Sequence, residues 1–92
     1  MIMIIENIKN KIIFQLQPIY FKINDNNQSK KEKIISYLEI TIVSNNFINQ
    51  SLISRHKLIY HIIGNNINNI HSLSLYTYTL NEWKKIKKNK IL

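Results

Sequence analysis

Residues 72–83 constrain the chain more than any other stretch. From Ser72 to Tyr78 two kinds of residue alternate, with Leu73, Leu75 and Thr77 on one parity and Ser72, Ser74, Tyr76 and Tyr78 on the other. A period of two is the pattern of a half-buried strand. The next four residues, Thr79-Leu80-Asn81-Glu82, have the form of a capping box. There the Thr79 hydroxyl accepts from the Glu82 amide, and the Glu82 carboxylate accepts from the Thr79 amide. Tyr78 and Trp83 fall at the two positions of a hydrophobic staple. A strand therefore runs straight into a helix. His71 shares the parity of Leu73 and Leu75, which puts it at the mouth of that strand, on the edge of the face that packs inward.

The remaining segments supply partners for this unit. Between residues 3 and 16, Ile5, Ile8, Ile12 and Leu16 recur every three to four positions, with Ile4 and Ile13 alongside, which predicts an amphipathic first helix ended by Pro18. Residues 19–23 form a short apolar and aromatic strand. Residues 24–33 are polar or charged without periodicity and read as a loop. Residues 37–44 alternate again, giving a second strand antiparallel to the first, and Asn45-Asn46 is a turn. Residues 51–63 return to helical spacing, with Leu52, His56, Ile59 and Ile63 on one stripe, Ile53 and Tyr60 flanking it, and Asn49 or Ser51 as cap. Gly64, the only glycine, follows that helix. The order is helix, strand, strand, one or two helices, strand, helix. In 92 residues the simplest solution is a single α+β domain, a two-layer sandwich with the helices covering one face of the sheet.

Composition narrows the function classes. There is no cysteine, so neither a disulfide nor a cysteine-based metal site is available. The N-terminus lacks the basic region of a signal peptide, and the uncharged run 12–21 is interrupted by Gln15, Gln17 and Pro18. The expected location is cytoplasmic, with no membrane partner. The net charge is +8, which suits an acidic partner such as nucleic acid. Twelve lysines stand against one arginine, Arg55, and alanine is absent, so part of that charge reflects a skewed composition. The lysines after Trp83 complement a helix C-terminus without any ligand.

Catalytic chemistry finds no support. The five carboxylates lie in separate elements, His56 and His61 do not share a helix face, and no glycine-rich phosphate loop or nucleophile elbow is present. The chain reads as non-enzymatic. His56 lies on the apolar stripe and reads as a packed histidine, and His61 reads as solvated. A neutral imidazole at a strand mouth is a good metal ligand, but His71 alone holds no metal, so further ligands would come from a partner.

Arg55-His56-Lys57-Leu58-Ile59-Tyr60, followed by Ile70-His71-Ser72-Leu73-Ser74-Leu75-Tyr76-Thr77-Tyr78-Thr79 and Glu82-Trp83, resembles the BolA family. The likeness extends from the first helix to Trp83 and is nearer to BolA proper than to the branch lacking the Arg-His pair. It implies an αββααβα fold with a three-stranded mixed sheet, like a type II KH domain without its Gly-x-x-Gly loop. A KH-type clamp on single-stranded RNA is disfavoured by the missing glycines. The resemblance also implies a regulator of stress response and cell morphology that binds double-stranded DNA through Arg55, His56 and Lys57 and partners a monothiol glutaredoxin. In such complexes a [2Fe–2S] cluster is shared between the glutaredoxin cysteine, glutathione and the histidine matching His71; the chain alone would carry no cofactor. The alternative keeps the fold and makes the chain an iron–sulfur assembly or trafficking partner without DNA binding. A homodimer is also left open. Two departures stand out. Lys30 occupies roughly the place where relatives offer a second ligand in the first loop, and Tyr76 replaces a histidine found in many members.

Overall fold

The computed structural model describes residues 2–25 and 35–90. The order is α1 (Ile2–Leu16), β1 (Tyr20–Asp25), β2 (Leu38–Val43), a 3-10 turn (Asn45–Phe47), α2 (Leu52–Ile63), a second 3-10 turn (Gly64–Asn69), β3 (Leu73–Tyr78) and α3 (Leu80–Lys90). The strands form one mixed sheet in the order β1-β2-β3, with β1 antiparallel and β3 parallel to β2. The α+β architecture expected from the sequence is the one formed. The second member of its central helical pair is the six-residue 3-10 turn rather than an α-helix.

Side-chain parity decides what each face of the sheet does. Leu38, Ile40 and Ile42 of β2 point into the core, where they meet Ile8, Ile12 and Leu16 of α1 and Ile59, Ile62 and Ile63 of α2. Leu73 and Leu75 of β3, register partners of Leu38 and Ile40, pack against the same cluster. Helices α1 and α2 thus cover one face. Val43 is fully buried yet belongs to the opposite parity, in a row with Tyr20 and Tyr78. Those two rings meet Trp83 of α3 at centroid distances of 4.9 and 5.5 Å, so the first turn of α3 closes the end of the outer face over Val43.

Local signals account for the element ends. The Thr79 amide donates to Glu82 Oε1 at 2.8 Å and the Glu82 amide donates to Thr79 Oγ1 at 3.2 Å, a complete capping box. Ser51, one of the two expected caps, accepts from the Ser54 amide at 3.1 Å. Helix α1 ends at Leu16, two residues before Pro18: Gln17 adopts φ 44°, and its amide donates to the Ile13 carbonyl at 2.9 Å. The Leu16 carbonyl left over at that end accepts from Ser44 Oγ (3.1 Å) and Asn46 Nδ2 (3.0 Å). The turn after β2 therefore also seals the first helix. Gly64 stands at φ 63° and ψ −138°, a conformation that side-chain-bearing residues rarely adopt.

Two expectations need correction. The first strand runs to Asp25 rather than stopping at Ile23, because Asn24 and Asp25 pair with Glu39 and Leu38, and Asn24 Nδ2 donates to Glu39 Oε1 at 3.1 Å. Only residues 26–33 of the expected loop fall outside the strand, and these lie outside the described residues. The buried stripe of α2 is also rotated. It is Arg55, Ile59, Ile62 and Ile63, while Leu52, Ile53 and Tyr60 face outward and His56 is only half-buried. The apolar spacing left Arg55 off the stripe, and only the family resemblance placed it on a surface.

Candidate functional site

The three residues expected on one nucleic-acid surface differ in burial, Arg55 being buried, His56 half-buried and Lys57 exposed. Arg55 sits in the first turn of α2 with its side chain 7 % exposed. Its guanidinium grips Glu82 through both nitrogens, Nη1 to Oε1 at 2.7 Å and Nη2 to Oε2 at 3.1 Å. Nη1 also donates to the Thr77 carbonyl at 3.1 Å, and Nε to the Gln50 carbonyl at 2.9 Å. The Phe47 ring lies beneath it, 5.6 Å from the guanidinium carbon to the ring centroid. Arg55 thereby joins the start of α2, the end of β3 and the start of α3. Lysine could not replace it, having no planar fork to reach two carboxylate oxygens at once. Lys57 is exposed and His56 half-buried, so of the expected triplet these two remain on the surface.

Glu82 carries two duties, the cap of α3 and the ion pair with Arg55. The hydrogen bonds from Arg55, followed by that from the Thr79 amide, lower its pKa from 4.5 to about 2. A depressed carboxylate pKa contributes stability that is present above the unfolded value near 4.5 and is lost as pH falls through about 2. Because the Glu82 side chain is 46 % exposed, solvent screening holds that contribution to about 1–2 kcal/mol. Acid unfolding followed by circular dichroism is expected to show the difference. Glu82→Gln should be less stable than the parent near neutrality, and the gap should narrow as pH falls below 4.5.

His71 lies two residues before β3, so strand parity does not carry it into the core, and its side chain is exposed. Its backbone is held firmly all the same. Ile70 forms a parallel bridge to Ile35, the His71 amide donates to the Ile35 carbonyl at 2.7 Å, and the Ile35 amide donates to the Asn69 carbonyl at 2.7 Å. On the other side, the Leu38 amide donates to the Ser72 carbonyl at 2.9 Å. The result is an exposed imidazole on a fixed stretch of main chain. Lys30, expected to stand where relatives carry a second ligand, lies outside the described residues. Among the described residues no three histidine or acidic side chains gather into a metal-binding group. Among the described residues, His71 could therefore add only a single ligand to a metal group held mainly by another molecule.

Sequence reasoning missed the Arg55–Glu82 pair, because the capping box already explained Glu82. The signal available was Arg55 itself, the sole arginine among twelve lysines.

The family model described as BolA-like protein matches residues 12–82. The chain is 42 % identical over 91 residues to an uncharacterised protein of Buchnera aphidicola, covering 94 % of this chain and 88 % of that one. It is 29 % identical over 89 residues to the DNA-binding transcriptional regulator BolA of Vibrio cholerae, covering 91 % and 82 % of the two chains. Among solved structures, BolA1 from Arabidopsis thaliana superposes with a TM-score of 0.73 at 26 % identity, over 84 % of this chain and 92 % of that one. No described helix is long and apolar enough to cross a membrane.

Proposed function

Because the chain belongs to the BolA-like protein family, we propose that it is a non-enzymatic regulatory module that works by docking, with His71 as its contribution to a [2Fe–2S] cluster shared with a monothiol glutaredoxin and glutathione. The observation that carries this reading is the combination at His71 of an exposed ring with a main chain pinned by the Ile35 hydrogen bonds. A side chain donated to a partner's metal gains affinity when its backbone is already ordered, because less entropy is lost on binding. Bound there, the cluster would supply iron for an imidazole nitrogen. This chain's own part is to present that nitrogen at a fixed edge of the sheet.

The test is co-expression with a monothiol glutaredoxin. The purified complex is expected to show the visible absorption of a [2Fe–2S] centre, and His71→Ala is expected to alter that spectrum while leaving the thermal midpoint of the free chain unchanged. A spectrum indifferent to His71→Ala would remove His71 as ligand.

A second reading, duplex DNA binding, is favoured by the name of the Vibrio cholerae relative and by the net charge of +8. With Arg55 committed to Glu82, phosphate contacts on the α2 surface would come from Lys57, with His56 beside it. Duplex affinity is then expected to fall steeply with salt, and Lys57→Gln to reduce the log–log salt slope by about 0.9, the share of one phosphate contact. Absence of duplex binding even at low salt would exclude this reading.

A further inference from the structure

The outer face of the sheet is built for something neither reading uses. The residues of one parity form three cross-strand rows: Tyr20–Val43–Tyr78, Lys22–Thr41–Tyr76 and Asn24–Glu39–Ser74. Helix α3 closes only the first row. The second row, with Asn24 and Glu39 of the third, floors a shallow concavity of about 400 Å³ that Tyr20, Tyr78, Trp83 and Ile86 border at one end. Tyr76 is 42 % and Tyr20 37 % exposed, so both offer ring surface to solvent. Cations flank the rings: Lys22 lies in the row of Tyr76, and Lys87 Nζ stands 5.4 Å from the Trp83 ring centroid.

We propose that this face is a stacking platform for single-stranded nucleic acid, with bases lying on Tyr76 and the Tyr20–Trp83–Tyr78 cluster and phosphates drawn to Lys22 and Lys87. Residues two apart on a strand sit about 6.8 Å apart on the same face, so Tyr76 and Tyr78 can support successive bases of an extended strand. Aromatic rings beside cations bind single strands without regard to sequence, because every base has a π-face. The surface lacks the aliphatic floor of a protein-docking groove; Ile86 is the aliphatic side chain bordering its open part. Glu39 marks the far end. Its carboxylate accepts from Asn24 Nδ2 (3.1 Å) and the Tyr37 hydroxyl (3.2 Å), and its charge repels phosphate, so the strand is confined to the Trp83 side. This platform is separate from a KH-type glycine clamp and depends on neither His71 nor the α2 surface.

Trp83, the only tryptophan, is a built-in reporter. Short oligo-dT and oligo-rU titrated at low salt are expected to quench its emission to similar extents, since stacking on the rings needs no 2′-hydroxyl. Tyr76→Ala, an exposed position whose thermal midpoint should match the parent, is expected to weaken both oligonucleotides roughly 5- to 100-fold. Lys22→Gln is expected to lower the single-strand salt slope by about 0.7. Tyr60→Ala, an exposed tyrosine on α2 away from this face, is expected to change nothing. The proposal is overturned if neither oligonucleotide binds at low salt, if Tyr76→Ala binds as the parent does, or if Tyr60→Ala weakens binding equally.

Discussion

Replacing Arg55 by alanine is expected to lower the stability of the free chain by about 3 kcal/mol, the size of effect that follows when one partner of a buried ion pair is removed. The loss has three parts. The Thr77 and Gln50 carbonyls lose a charged donor, Glu82 loses its bidentate partner, and the Phe47 ring loses the group packed over it. Glu82 itself is partly solvated, and that keeps the cost at the low end of the range for buried pairs. In a domain of this size the change corresponds to a fall in midpoint of roughly 12–24 °C. Arg55→Lys should recover less than half of it, because an ammonium reaches one carboxylate oxygen where the guanidinium reaches two. Thermal melts of the two variants and of Glu82→Gln check the argument, and a double-mutant cycle should return a coupling of about 1–2 kcal/mol between positions 55 and 82.

Phe47→Ala is expected to cost more, about 3–5 kcal/mol, because it empties a fully enclosed position. Phe47 is the largest fully buried side chain, and it sits in the turn joining β2 to α2, where the core meets the underside of Arg55. Stabilities of small domains run to roughly 5–15 kcal/mol, so the variant should be partly unfolded at 37 °C or close to it. Urea titration at low temperature gives the value. Since Phe47 and Arg55 touch, the double variant should lose less than the sum of the two single losses.

The first of these effects comes from the motif that sequence resemblance would assign to a binding surface. Arg55 of the Arg-His pair is architectural, while His56 and Lys57 remain at the surface. Periodicity did not show this. An arginine scored as polar turns the apparent stripe of α2 toward Leu52 and His56, and only the ion pair with Glu82 turns it back. The strand from Leu73 to Tyr78 and the cap and staple after it were legible, since alternation and a four-residue box are local properties. The end of β1 was not legible, because Asn24 and Asp25 are poor strand formers held in place by pairing with β2. His71 was legible as a candidate but not in its exposure. Parity suggested an inward edge, whereas the residue precedes the strand and its ring is free of the core. The outer aromatic face could not have been read in full, since Tyr20 and Trp83 join Tyr76 and Tyr78 only through cross-strand register and the docking of α3.

In the proposed division of labour, Arg55 and Glu82 hold the frame and the edge at His71 meets a glutaredoxin partner. Amide signals of the isotope-labelled chain, recorded as cluster-loaded monothiol glutaredoxin is added, test it most directly. Broadening by the iron centre is expected to be strongest at Ile70, His71 and Ser72 and at Ile35 across the bridge, with α2 little affected. Broadening centred on Lys57 and its neighbours in α2, with His71 unchanged, would contradict it.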